Sequence, residues 1–224
     1  FAVTAMISLG QMASAGITQD LEAIAGRSIF VQPNFNEGQD FSSAPIREED
    51  ILALQTLPAT VIPQLFSSLQ YEVRPGTRRA IQLQGTPGDL SRLDPTNKLA
   101  RGRYFSQAEA RGGLAVAVLS DRAARDLFPG SEAVGQVARL YYPTGARLEL
   151  TVVGVLQPPG GLFGGLGATA TVYVPNELIW KTSPTARKGQ YDFVILSLKK
   201  GADAKQVARQ VQRIFESRYG KGKY

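Results

Sequence analysis

The chain contains neither histidine nor cysteine among its 224 residues. These absences exclude Ser/His/Asp and Cys/His catalytic sites, zinc sites built from His or Cys, and haem or iron–sulfur ligation by those residues. Long hydrophobic runs are missing as well, because no apolar stretch reaches the roughly 20 residues that span a bilayer. The lack of cysteine does not assign a compartment, since a chain of this length needs no disulfide bonds to fold.

Composition and charge are those of an ordinary globular chain. The chain carries 25 basic and 19 acidic residues, a formal net charge of +6, which permits attraction to nucleic acid or to anionic lipid. Basic and acidic residues are interspersed through most of the sequence, and the aromatic-plus-basic pattern of RNA-binding domains is absent. We therefore expect a solvated surface and no nucleic-acid partner.

Both ends of the chain carry helical patterns. Residues 1–26 begin with the apolar run FAVTAMISL, which favours a stem helix that is the outer end of a transmembrane helix. The alternative is a helix packed wholly on the domain core. Residues 203–217 predict an amphipathic helix with Lys205, Arg209 and Arg213 opposite its apolar stripe. This basic face is either simply solvated or lies near anionic lipid head groups.

A further helix is predicted to begin near Pro45. Proline in a first helical turn and negative charge just behind it, here Glu48, Glu49 and Asp50, are typical of helix N-termini. Such a triplet could also suggest a metal or acid/base site. We interpret it as serving the helix, because carboxylates in a first turn usually do.

Strand patterns in the outer parts of the chain predict a small sheet. They cover residues 28–32, 63–74, 77–84 and 191–199. Pro75-Gly76 suits the corner of a turn and predicts a hairpin. We expect an α+β fold in which residues 27–87 and 190–219 form a split βαβ lobe, while residues 88–189 form an inserted mixed α/β lobe.

The inserted region has its own sequence of elements. The predicted helices and strands are a helix near 90–93, a strand at 115–119, a helix at 121–128, and strands at 136–142, 148–156 and 171–174. Alternation of apolar and polar residues, interrupted by turn residues, supports this division.

A glycine-rich loop at residues 160–167 is the most unusual stretch of the sequence. It places five glycines around Leu162, Phe163 and Leu166, directly after two prolines. A phosphate-binding loop would end in Lys-Ser/Thr, whereas Ala168-Thr169 stands at that place here. We expect either a disordered connector or a mobile apolar contact to a partner subunit, an adaptor or a hydrophobic substrate.

Three segments of the inserted region carry a resemblance to a known family. They are GRYFS at residues 102–106, VAVLSDRAARDLFPGSEAVGQ at 116–136 and VVGVL at 152–156, with a weaker echo in YVP at 173–175. In this order and spacing they resemble the MacB-type periplasmic core domain of bacterial ABC-transporter permeases, in the MacB/LolC/FtsX superfamily. The two ends of the chain are similar to the corresponding parts of that family.

The matching residues have structural roles in our interpretation. Gly102, Gly135 and Gly154 are expected to allow tight backbone paths. Leu127 and Phe128 are expected to seal a helix onto the sheet.

The resemblance implies a porter-like lobe made by both chain ends and an inserted sabre-like lobe. It implies that residues 220–224 lead to the next transmembrane helix of a multi-pass protein, with the domain on the periplasmic face of the inner membrane. It also implies a dimer with a second permease copy or homologue, a cytoplasmic ABC ATPase acting through the full-length chain, and contact with a periplasmic adaptor or lipoprotein.

The implied role is mechanical, coupling cytoplasmic ATP hydrolysis to movement outside the membrane for export or lipoprotein release. No catalytic residue, metal or cofactor is expected in this domain. The alternatives are a hydrolase using paired carboxylates or a Ser/Lys pair, for which no motif places the groups, and a free-standing periplasmic ligand-binding or adhesive module.

Overall fold

The computed structural model describes residues 28–31, 45–88, 98–158 and 169–219. The predicted helices at residues 1–26 and 90–93, the glycine-rich loop and the tail at residues 220–224 lie outside the described residues. The strands are β1 Ser28–Val31, β2 Ile46–Arg47, β3 Ala59–Arg74, β4 Thr77–Thr86, β5 Leu99–Gly102, β6 Val116–Leu119, β7 Val137–Tyr141, β8 Arg147–Leu156, β9 Thr171–Pro175, β10 Gln190–Tyr191 and β11 Phe193–Leu198. The helices are α1 Glu48–Leu54, α2 Gln107–Gly112, α3 Asp121–Leu127, α4 Asn176–Thr182 and α5 Ala204–Tyr219.

These elements confirm the predicted mixture of helices and strands, with sheet as the dominant component. The chain divides into two compact units. Among the described residues, the first unit comprises 28–31, 45–63 and 189–219, and the second comprises 64–158 and 169–188 with the gap at 89–97. This division groups residues 64–87 with the central part of the chain, whereas the sequence prediction grouped them with the chain ends. The lobe assignment itself stays a prediction.

In the first unit, β11 lies between β1 and the beginning of β3. β1 and β11 are antiparallel, with Ser28 opposite Ser197 and Val31 opposite Val194. The short strands β2 and β10 form a separate antiparallel pair. On α5, Val207, Val211 and Phe215 recur every four residues and are buried, so this stripe provides the apolar face of the helix.

The predicted helix start near Pro45 is wrong. Ile46 and Arg47 form β2, and the helix begins at Glu48. The reason is local: Arg47 has an extended backbone (φ −104°, ψ 163°), and its N–H donates to the carboxylate of Asp50 at 2.8 Å. Pairing of Ile46 with Tyr191 holds the preceding residues in a strand.

In the second unit, the strands close into a ring of six. β3 pairs with β4, β4 with β9, β9 with β6, β6 with β8, β8 with β7, and β7 with β3. The last step is a single residue pair, Gln70 opposite Tyr141. Alternate residues of these strands are buried, and Leu69, Leu83 and Leu140 are fully so.

The predicted hairpin is confirmed, with Pro75 and Gly76 between β3 and β4. Gly76 has a φ of +77°, a conformation that glycine adopts at little cost, and its N–H donates to the side chain of Glu72 at 2.9 Å. The sequence patterns missed β5, α2 and α4. A capping box explains α2, because Ser106 accepts from the N–H of Glu109 while the Glu109 carboxylate accepts from the N–H of Ser106.

Candidate functional site

In the first unit, the start of α1 meets the end of α5 at a buried carboxylate. Asp50 is fully buried. Its Oδ2 accepts from the hydroxyl of Tyr219 at 2.5 Å as well as from the N–H of Arg47 at 2.8 Å. The Nε of Arg218 lies 2.7 Å from Oδ1 of the same carboxylate. A charge with no exposed surface is thus compensated on both of its oxygens.

Arg218 joins two carboxylates of α1 at once. Besides Asp50, its Nη2 donates to Glu49 at 2.8 Å. The side chain of Glu49 is 72% exposed, whereas that of Asp50 is 0% exposed. Because water screens an exposed ion pair, the attachment of α5 depends chiefly on Asp50. We call Glu49, Asp50, Arg218 and Tyr219 the Asp50 cluster.

Burial and the neighbouring carboxylate both act on Tyr219. Burial raises the pKa of its hydroxyl, and the hydrogen bond to Asp50 and the negative charge of Asp50 raise that pKa further. The ring of Tyr219 also stacks on Phe215, with centroids 6.1 Å apart. The last turn of α5 is therefore fixed by apolar packing as well as by charge.

The interpretation of the acidic triplet as helix-serving covers only part of its role. Asp50 does cap α1, but Glu48 accepts from the hydroxyl of Tyr191 at 2.8 Å and Glu49 pairs with Arg218. The predicted helix ended at residue 217, one residue before Arg218. An Arg-Tyr pair directly after an apolar stripe was the only sequence signal for these contacts.

The predicted basic residues Lys205, Arg209 and Arg213 are all exposed on α5. They are offset by two positions from the buried Val207, Val211 and Phe215, which places them on the opposite side of the helix. The predicted contact of Leu162, Phe163 and Leu166 falls outside the described residues. Lys205, Arg209 and Arg213 do not belong to the Asp50 cluster.

Within the described ranges, no group of three or more Asp, Glu, His or Cys residues is arranged to hold a metal ion. Among the helices of those same residues, none is both long and apolar enough to cross a membrane.

In the second unit, a groove of about 480 Å³ opens where β3 and β7 separate beyond their single pair. It is lined by the end of β3, by β7 and by the last residues of α3, namely Tyr71, Glu72, Arg74, Pro75, Leu127, Phe128, Gln136, Val137, Ala138, Arg139 and Tyr141. We call it the seam groove. Leu127 and Phe128, expected to seal α3 onto the sheet, are only half-buried and face this groove.

The glycines of the recognised motifs have the expected backbone roles. A Cβ on Gly102 would lie 2.2 Å from the carbonyl oxygen of Val153, and one on Gly154 would lie 2.3 Å from that of Arg103. Gly102 and Gly135 also have positive φ angles, +72° and +88°. These positions therefore hold β5 close against β8 and turn the chain toward β7.

A comparison with known protein families gives a match whose range includes all of these motif positions. The profile of the family described as "MacB-like periplasmic core domain" matches residues 1–214. The chain belongs to this family.

Curated relatives of this MacB-like domain are much longer proteins. A probable export ATP-binding/permease protein of Pseudomonas fluorescens is 27% identical over 97% of this chain and 33% of its own length. A macrolide export ATP-binding/permease protein MacB of Azoarcus is 26% identical over 77% of this chain and 26% of its own length. A probable syringafactin export ATP-binding/permease protein of Pseudomonas syringae is 27% identical, over 97% and 32%. The chain thus spans about a third or less of these relatives.

Solved structures show the same fold. The periplasmic region of MacB from Actinobacillus actinomycetemcomitans superposes with a TM-score of 0.69 at 14% identity, covering 90% of this chain and 88% of that one. The extracellular domain of the ABC-type transporter YknZ from Gram-positive bacteria gives a TM-score of 0.61 at 18% identity, covering 86% and 95%. The mixed α/β architecture is therefore that of MacB-like periplasmic domains.

Proposed function

We propose that this MacB-like domain works outside the cytoplasm as part of an ABC transporter permease and transmits movement driven by cytoplasmic ATP hydrolysis. The domain itself performs no catalysis in this proposal. ATP is hydrolysed by an associated ABC ATPase, and the result is export or lipoprotein release. The curated relatives, which are export ATP-binding/permease proteins, support this assignment.

The observation that carries the mechanical part is the Asp50 cluster. Residues 50 and 218 are separated by most of the chain, yet Arg218 and Tyr219 hold the end of α5 to the start of α1 through a buried charge. A displacement of α5 along its axis is therefore transmitted to α1 and to the strand that precedes it. Breaking an attachment made only of exposed ion pairs would cost much less free energy than separating a buried charge from its partner.

This proposal is tested in the membrane-embedded full-length transporter by breaking the contact between α1 and α5 and then restoring it with a crosslink. The double variant Glu49→Cys, Arg218→Cys removes the ion pairs of the cluster and introduces two thiols into a domain that has no cysteine of its own. We expect export to fall severalfold while ATP hydrolysis continues, and a short bis-maleimide crosslinker to restore export.

Two results bear on the interpretation. Glu216→Gln changes a carboxylate on the same helix that accepts a hydrogen bond from Gln212, and it should leave export unchanged. If the crosslinked and uncrosslinked double variants export equally well at wild-type protein levels, the cluster does not transmit movement.

The lobe arrangement is part of the same proposal. A porter-like lobe from both chain ends and an inserted sabre-like lobe would give each permease copy one moving base and one outward-facing lobe. The permease would act as a dimer with a second copy or homologue on the periplasmic face of the inner membrane. A periplasmic adaptor or lipoprotein would meet the outer lobe, and deleting residues 160–167 tests whether the apolar loop takes part.

The basic face of α5 is proposed to lie near anionic lipid head groups. A Lys or Arg close to an anionic membrane surface contributes about 1 kcal/mol, so replacing all three with glutamine should weaken binding of the domain to anionic vesicles by at least about tenfold. The matched control replaces three exposed basic residues of the second unit, namely Arg101, Arg125 and Lys188. Equal losses of vesicle binding in the two variants would show that the domain binds anionic vesicles only by non-specific charge attraction.

A further inference from the structure

The six-stranded ring of the second unit is closed by one residue pair, and this leaves strand edges unmatched. β7 pairs with β8 over its whole length, from Val137 opposite Thr151 to Tyr141 opposite Arg147. On its other edge, the described residues provide a partner only for Tyr141, which lies opposite Gln70. Residues 137–140 therefore present one open strand edge to the seam groove.

β3 is the poorer of the two edges for accepting another strand. Its pairing with β4 shifts register between Glu72 and Arg74, which marks a bulge at the place where it borders the groove. A bulge twists a strand and interrupts its regular spacing of hydrogen-bonding groups. β7 keeps a continuous register with β8 and so offers the regular edge.

The side chains of β7 alternate in a way that defines an incoming strand. Ala138 and Leu140 are buried, whereas Val137 and Arg139 are exposed, and Val137 is 46% exposed. A strand added to this edge would place alternate residues against Leu127 and Phe128, the apolar part of a groove lining that is otherwise largely polar. Its other residues would lie on the exposed face beside Val137 and Arg139.

The charge around the groove determines which charge the exposed face of an incoming strand should carry. At the tip of the β3–β4 hairpin and in the β7–β8 hairpin, exposed arginines outnumber exposed acidic residues. The arginines are Arg74, Arg78, Arg79, Arg139 and Arg147, and the acidic residues are Glu72 and Glu149.

Several of these arginines border the closing pair directly. The guanidinium of Arg78 lies 4.0 Å from the ring centroid of Tyr141, and Arg139 and Arg147 share the single carboxylate of Glu149 at 3.2 and 3.3 Å. The nearby carboxylates are too few to neutralise these arginines, so the electrostatic potential at the groove is positive.

We propose that the seam groove binds an extended, acidic segment of a partner protein by strand addition to β7. The segment alternates apolar residues, which enter the groove, with Asp or Glu residues, which face Arg139 and its neighbours. Main-chain hydrogen bonds to Val137 and Arg139, whose N–H and C=O groups point away from β8, supply affinity, and the arginines supply the preference for acidic sequences. This binding does not depend on ATP hydrolysis or on the Asp50 cluster.

The test measures peptide binding to the full-length protein in detergent, without ATP, so that it stands apart from any transport defect. The probe is a fluorescein-labelled peptide of alternating valine and glutamate, followed by fluorescence anisotropy. We expect saturable binding that a valine–lysine peptide does not show. The same acidic peptide with N-methyl groups on alternate backbone nitrogens should bind at least about tenfold more weakly, because it cannot pair with a strand edge.

A matched pair of variants locates the site. Arg74→Gln with Arg139→Gln should weaken binding about tenfold, whereas Lys205→Gln with Arg209→Gln removes the same charge from α5 and should leave it unchanged. Equal losses in both variants, or binding that survives backbone methylation, would overturn the proposal. Normal binding of the acidic peptide by a Val137→Pro variant would also overturn the proposal, because residue 137 borders the open edge. Circular dichroism shows whether this variant is folded.

Discussion

Arg218→Met is the substitution that most sharply separates a buried from an exposed ion pair in this domain. Methionine keeps much of the apolar stem of the arginine and removes its guanidinium. Asp50, which is 0% exposed, would then retain only the Arg47 N–H and the Tyr219 hydroxyl as partners. Removing one member of a buried pair typically costs 3–5 kcal/mol, because the other charge is left uncompensated away from water.

The structure places the expected loss at the lower end of that range. Asp50 keeps two hydrogen bonds, and the side chain of Arg218 is 32% exposed in the folded protein, so the wild-type pair is already partly screened. We expect about 3 kcal/mol for Arg218→Met. Glu49→Gln removes the other carboxylate on the same guanidinium, but that carboxylate is 72% exposed, so the expected loss is below about 0.5 kcal/mol.

Hydrogen exchange of the α1 and α5 amides measures both values in the unit that contains them. Tryptophan fluorescence would not, since the single tryptophan, Trp180, belongs to the second unit. Protection in α5 should fall by about two orders of magnitude in Arg218→Met and by less than about threefold in Glu49→Gln. Similar, small changes in both variants would refute the reasoning, because they would show that burial of Asp50 does not set the strength of the attachment.

Three further predictions concern pH and packing. The Arg103 guanidinium and the Ser106 N–H lower the pKa of Glu109 to about 2. The contribution of Glu109 to folding stability is therefore present above the unfolded value near 4.5 and is lost as pH falls through about 2. Glu109→Gln should remove about 1 kcal/mol of this acid-dependent stability, which is measured by Trp180 fluorescence. The raised pKa of Tyr219 gives stability that is present below pH 10 and lost as pH rises through the folded value, and Tyr219→Phe should abolish this alkaline loss in the exchange of α5. Gly154→Ala should cost at least about 2 kcal/mol in urea unfolding because its Cβ meets a backbone oxygen, whereas Gly135→Ala, in open space, should cost about 1 kcal/mol for its positive φ.

Each of these three has an outcome that would contradict it. A Glu109→Gln variant with the wild-type acid transition would show that the carboxylate is not held by Arg103. An unchanged alkaline loss in Tyr219→Phe would assign that loss to another group. Equal costs for the two glycine substitutions would mean that the strands around Gly154 relax freely.

Periodic patterns depend on neighbouring residues alone, and they predicted most of the regular elements but not β5, α2 and α4. The four-residue recurrence of Val207, Val211 and Phe215 predicted α5 and its buried side, and Pro75-Gly76 predicted the hairpin. The same reasoning failed at Pro45, because a proline suits both a helix start and the residue before a strand. Pairing of β2 with the distant strand β10, in which Ile46 lies opposite Tyr191, decided between them.

The sequence by itself determined the amphipathic helix, the hairpin, the motif glycines and, through the order of the motifs, the resemblance to MacB-like domains. It also determined that no histidine or cysteine chemistry operates here. Only the tertiary structure decided that Asp50 meets Arg218 and Tyr219, and that β7 closes a ring with β3 through one pair. Both features join residues far apart in the chain, and their strength depends on burial and strand register, which arise only when distant segments pack together.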